Sequence, residues 1–317
     1  MVLAYPIAMK RARVAAFVLV LIAAGAEAAA QERQIEVAAG ERLRVVEAGR
    51  GSTVVLLPGL LGSAFGFRKL IVPLVERGHR VIVVEPLGFG GSAKPRPADY
   101  SLTAQADRIA NVLEVMDVDQ AVVVAHAVGA SMALRLASRH PERVAAIVSL
   151  DGGPAEAAAT PGLRRAMRFA FLIRLFGGMG RIRGAVRSTL KERSADPSWV
   201  TDEVVEGYMA AAGADVDGTV RALRQMAKAR EPELLVPRLP EVRCPVRLVI
   251  GEAAAARGIS GAEIKLLTEG LASFSIQRVP RAGHFLFEEE PQAVLAAVDR
   301  AFTTTRAEGD SAIGQGR

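Results

Sequence analysis

Four short, unbroken apolar stretches recur along the chain: Val54-Val55-Leu56-Leu57, Val81-Ile82-Val83-Val84, Ala121-Val122-Val123-Val124 and Val144 to Leu150. Between them lie Phe67 to Glu76, Leu102 to Met116 and Val128 to Arg139, in which apolar residues return every three or four positions. A strand with one wet face alternates polar and apolar residues. A continuous apolar run has no wet face, so these strands must be covered by helices on both sides. The strand-helix alternation therefore predicts an α/β fold, a mainly parallel sheet flanked by helices. Gln34 to Ala38 and Leu43 to Val46, around the turn Ala39-Gly40-Glu41, read as a hairpin, which makes the sheet mixed.

The rhythm stops after Leu150 and resumes at Val246 to Ile250, with only helical periodicity between. This predicts a core formed by 31–151 and 241–304 and a helical cap inserted at 152–240. The cap helix from Leu163 to Phe176 interleaves Arg164, Arg165, Arg168 and Arg174 with apolar residues. It is read as packing its apolar side on the core, with peripheral contact to an anionic membrane as the alternative. A helix (Ala262 to Leu271), a strand (Phe274 to Val279) and a closing helix (Pro291 to Phe302) follow, and the polar tail 305–317 is expected to be disordered.

Residues 1–30 combine Lys10-Arg11-Ala12-Arg13, an apolar run from Val14 to Ala24 and small residues around Ala28-Ala29-Ala30. They read as a cleaved signal peptide, placing the mature chain in the periplasm or outside the cell. A retained membrane anchor is the alternative, although the run is well short of the roughly 20 residues that span a bilayer. The net charge of +6 comes without a helix-turn-helix, zinc-finger or aromatic-studded basic pattern, so no nucleic-acid partner is expected. One cysteine, Cys244, excludes an intramolecular disulfide. Scattered histidines and the absence of a phosphate-cradling loop predict neither metal nor cofactor.

Four motifs carry a resemblance. Leu57-Pro58-Gly59-Leu60-Leu61-Gly62-Ser63 follows the first buried strand, Glu85-Pro86-Leu87-Gly88-Phe89-Gly90-Gly91-Ser92 follows the second, and Ala125-His126-Ala127-Val128-Gly129 joins the third to a helix. Gly283-His284 follows the last strand. In this order they resemble the α/β-hydrolase superfamily over nearly all of the mature chain. The resemblance implies an oxyanion loop with the Leu60 amide as one donor and the Val128 amide as the other. It implies that Ala127 occupies the nucleophile position of a G-x-S-x-G elbow, with Ala125 in place of the first glycine. A methyl group has no lone pair, so acyl transfer through residue 127 is excluded.

The resemblance makes His284 the base. The family's usual acid position, after the strand Val246 to Ile250, falls on Ala254. Some members take the acid from the end of the preceding strand, which here makes Asp151 the orienting carboxylate, with Glu252 in reserve. Ser131 and Ser149 are expected to face packing, and Ser63, in the oxyanion loop, is the serine read as a candidate to face the cleft. His79 and His140, beside charged residues at helix ends, read as solvated. Three functions stay open: His-based, non-covalent catalysis on a small apolar ester-like or carbonyl substrate; a non-catalytic protein that binds a small apolar molecule under the cap, or a partner; and a serine hydrolase carrying an inactivating Ser to Ala change.

Overall fold

The computed structural model of the chain describes residues 30–159, 164, 179–253 and 258–314, with side chains described as far as Thr305. The expected signal segment, Ala254 and all of the basic cap helix except the exposed Arg164 lie outside the described residues. Among the described residues no helix is long and apolar enough to cross a membrane.

Eight strands form one mixed sheet in the order β1-β2-β4-β3-β5-β6-β7-β8. β1 (Gln31–Ala38) and β2 (Glu41–Ala48) form the antiparallel hairpin, turning through Ala39-Gly40, where Gly40 has φ 75°. β2 lies antiparallel to β4 (His79–Glu85). β3 (Ser52–Leu57), β5 (Ala121–His126), β6 (Val144–Leu150), β7 (Val246–Gly251) and β8 (Phe274–Val279) continue the sheet in parallel.

The unbroken apolar runs divide by parity between two cores. Val55, Leu57, Val123 and Ala125 face one side with α2 (Leu102–Val115) and α3 (Val128–Arg139), while Val54, Leu56, Val122 and Val124 face the other with α1 (Arg68–Glu76). Successive strand residues point to opposite faces, so a strand covered on both sides needs both parities apolar. Local signals start the helices: Ser101 accepts from the Ala104 amide, capping α2, and Ser260 and Glu263 form a capping box on α7 (Gly261–Gly270).

Between β6 and β7 the described residues hold helices and no strand: α4 (Met179–Glu192), α5 (Asp202–Ala214) and α6 (Val216–Lys228), capped by Thr201 at α5 and Asp215 at α6. Ala222 and Met226 of α6 meet Tyr100 over Gly88, at φ 86°, where a Cβ would lie 2.6 to 3.0 Å from all three. Gly207 of α5 lies against the Phe65 ring.

Three expectations need correction. After the short α8 (Leu286–Glu289), the final helix α9 runs Pro291–Gly314, through most of the tail expected to be disordered. The tail holds no proline, so no missing amide stops the helix, although Gly309 lowers its propensity. His79 opens β4 and stacks on Phe302 at 4.5 Å, and His140 is bonded to Asp107 at 3.1 Å; both are half-buried.

Candidate active site

Three chain turns meet at the carboxyl ends of β3, β5 and β6. At the first, Gly62 donates to the Gly59 carbonyl at 2.8 Å and Leu61 takes φ 63°. The buried Glu85 holds this loop by accepting from the Ala64 amide at 2.8 Å, and it also accepts from Gly91 and Arg44. Gly59 sits so close to the second turn that a Cβ there would lie 2.7 Å from His126 Nδ1 and 3.3 Å from Ala127 Cβ.

The second turn is the elbow. Ala127 connects β5 directly to α3 with φ 50° and ψ −118°, a conformation that strains a residue bearing a Cβ by roughly 1–3 kcal/mol. Gly129 permits it, because a Cβ there would lie 2.9 Å from the carbonyl oxygens of Leu57 and Pro58. Ala127 is therefore held in a strained strand-to-helix turn beside the glycine loop, the geometry an elbow requires, with a methyl as its side chain.

The third turn carries Asp151. Asp151 follows β6 with φ 50°, and its amide donates to the Val249 carbonyl at 2.9 Å. Ser149 donates to the Gly152 carbonyl at 2.7 Å, and Ser131 donates to the Gly153 carbonyl at 2.5 Å while accepting from Ala155. Both hydroxyls are thus committed to bracing this turn, as expected of side chains that face packing. Ser63 is buried ahead of a short 3-10 turn at Ala64–Phe67. Gly152 interlocks the third turn with the elbow, since a Cβ there would lie 2.3 Å from the Ala127 carbonyl and 2.6 Å from Ala130 Cβ. Gly152→Ala is expected to destabilise the fold by about 1–3 kcal/mol, as overpacking does; a chemical denaturation midpoint equal to that of the native chain would contradict the interlock.

His284 and Asp151, 133 residues apart, meet in a buried hydrogen bond between Nδ1 and Oδ2 of 2.5 Å, each residue about 4% exposed. The other carboxylate oxygen accepts from the Ile259 amide at 3.4 Å. Glu252 is corrected as a reserve acid: it is exposed and paired with Arg278 at 3.5 Å, because β7 ends with this side chain at the surface. His126 hydrogen-bonds through Nε2 to the His284 carbonyl at 3.2 Å, its ring 4.5 Å from that of His284.

Burial pushes the Asp151 carboxyl up to about 7 and, with the Arg193 charge adding to it, pushes the His284 imidazole down to about 3. Burial, and then the neighbouring His284, hold His126 well below the ordinary histidine range. At low pH a proton on the carboxyl donates to Nδ1, leaving Nε2 protonated and unable to act as a base. Loss of one proton from the pair leaves Nδ1–H donating to a carboxylate and frees the Nε2 lone pair. A His284-dependent rate is therefore expected to rise with pH through about 7. A pH profile flat between 5 and 9 on the scale of about a tenfold change would contradict this.

A family profile described as the α/β hydrolase fold matches residues 52–186. The 2-hydroxymuconate semialdehyde hydrolase of a Pseudomonas species is 33% identical over 131 residues, 40% of this chain and 46% of that protein. The 2-(acetamidomethylene)succinate hydrolase of Mesorhizobium japonicum is 26% identical over 263 residues, 81% of this chain and 90% of that one. The meta-cleavage product hydrolase of Pseudomonas fluorescens, solved as a Ser to Ala mutant with acetates, superposes with a TM-score of 0.69 at 22% identity over 86% of this chain and 97% of that one. The chain has the α/β-hydrolase fold.

In this α/β-hydrolase fold the inserted segment also reaches the site. Arg193, just beyond α4, accepts the His284 amide at 2.8 Å through its carbonyl, and its charge acts on Asp151, His284 and His126. Neither Arg193 nor Glu289, which bonds the amides on either side of this contact, was singled out for the site from sequence. For Glu289 the one available signal was its place five residues after His284 in a run of three glutamates.

Proposed function

We propose that this chain is a hydrolase that works without an elbow serine: His284, oriented by Asp151, is a general base for water attacking a small apolar ester-like or carbonyl substrate under the inserted helices. The observation that carries the reading is the buried Asp151–His284 hydrogen bond beside a strained elbow. Desolvating a carboxyl and an imidazole together is unfavourable unless the pair is used or tightly bonded, and the strain at Ala127 adds to that cost. The hydrolase names of the two curated relatives favour hydrolytic chemistry.

In the proposed reaction Nε2 of His284 takes a proton from water as the water oxygen bonds to the substrate carbonyl carbon. The carbonyl electron pair moves onto oxygen, facing the amides of Leu60 and Val128. Collapse of that oxyanion breaks the carbon–leaving-group bond, and the departing alkoxide takes the proton from Nε2. The serine is replaced as nucleophile by water, and the backbone donors keep their role. The same reading has the chain act after export, with the signal segment removed.

The measurement that tests it is turnover of short-chain aryl esters by the chain from about residue 31 onward, beside His284→Ala. Turnover in the native chain is expected to fall by about a hundredfold or more in the variant. Equal rates in both would end the hydrolytic reading. They would favour the second one, a ligand-binding protein, for which the observation is Ala127 itself: the position best placed for a nucleophile carries a methyl group.

A further inference from the structure

The loop that carries His284 is fastened to the inserted segment by one carboxylate. Glu289, at the end of α8, accepts from the Ala195 amide through Oε1 at 3.0 Å and from the Gly283 amide through Oε2. Between these two contacts His284 donates its own amide to the Arg193 carbonyl at 2.8 Å. Gly283 makes the approach possible, since a Cβ there would lie 2.4 Å from the Arg193 carbonyl and 2.8 Å from the Ala195 nitrogen. Ser194 and Trp199 close the same contact: the indole donates to Ser194 Oγ at 3.1 Å, and its ring stands edge-on to Phe285 at 5.7 Å. Residues 193–199 and 283–289 thus form one hydrogen-bonded unit made from two distant segments.

We propose that Glu289 is a positioning residue that couples the seating of the inserted segment to the alignment of His284 on Asp151. A carboxylate has two acceptor oxygens, and here each serves a different segment. A carboxamide of the same shape has one acceptor, and its NH2 group would face an N–H donor. Glu289→Gln therefore has to release either Ala195 or Gly283, and Gly283 is the residue before His284. The hydrolytic role of His284 rests on the function proposed above, whereas the coupling is readable without turnover.

The experiment is proton NMR of the full chain and of Glu289→Gln, following the His284 Nδ1 proton, which the Asp151 hydrogen bond shifts far downfield and which His284→Ala identifies by its loss. Amide exchange at Ala195, Gly283 and His284 is read in parallel, with Glu290→Gln as the neighbouring control. Glu289→Gln is expected to broaden or abolish the downfield signal and to speed exchange at all three amides by roughly tenfold or more, with the melting transition still cooperative; Glu290→Gln is expected to change neither. An unchanged downfield signal with faster exchange at Ala195 alone would overturn the coupling. If Glu289→Gln does not fold, Glu289→Asp keeps both acceptors one methylene short, and the same two signals decide. A native chain without ester turnover whose downfield signal is lost in Glu289→Gln leaves the coupling standing and removes only the hydrolytic reading.

Discussion

Ala127→Ser is expected to turn the chain into a protein that a serine-directed fluorophosphonate labels at residue 127, while the native chain stays unlabelled. The backbone already holds residue 127 at φ 50° and ψ −118°, so a hydroxyl adds no conformational strain beyond what alanine bears. It would stand at the N-terminus of α3, where the helix dipole favours a developing negative charge, beside a histidine already paired to its acid. Ester turnover should rise by about a thousandfold or more over the native rate, the range in which triad nucleophiles act. An unlabelled, inactive Ala127→Ser protein with a native-like melting transition would show that His284 does not address the elbow. Native labelling that depends on Ser63 or Ser131 would place the nucleophile elsewhere.

The second large effect is expected at Asp151. Asp151→Asn is nearly isosteric, and its amide oxygen would keep the bond from the Ile259 amide, turning the NH2 group toward Nδ1 of His284. Nδ1 would then have to accept, which moves the ring proton to Nε2 and removes the base. The His284-dependent rate is expected to fall by about a thousandfold to ten-thousandfold, with a cooperative fold retained. Asp151→Ala should in addition cost about 1–3 kcal/mol of stability, because it leaves a buried, neutral imidazole without its hydrogen-bond partner. A kcat/KM in Asp151→Asn within a factor of about three of the native value would remove Asp151 from the mechanism.

The sheet was legible in the sequence because burial on both faces writes itself into consecutive residues. Val54 to Leu57 needs no partner to be identified: four apolar residues in a row between turn residues mean cover above and below. The elbow was legible for a related reason. A strained turn with a close neighbouring chain tolerates only small residues, and Ala125, Ala127 and Gly129 are small where the strand ends and the helix begins. The extent of α9 was not legible, because a polar, glycine-containing tail without proline fits either a helix or disorder until its path is fixed.

Because the usual acid position falls on Ala254, the sequence reading took Asp151 as the acid with Glu252 in reserve, and only the tertiary structure brings one of the two to His284. β6 and β7 are neighbours in the sheet, so a carboxylate from the end of either strand would be a plausible partner on chain order alone. What decides is the left-handed turn at Asp151, braced by Ser131 and Ser149, against the outward path of Glu252. The Glu289 contacts were hidden for the same reason: Glu289 and Ala195 are 94 residues apart, and nothing local marks either. Burial and backbone strain are imposed by immediate neighbours in sequence and so leave a pattern there. Pairing between distant polar groups is set by where the folded elements place them, and that geometry belongs to the tertiary structure alone.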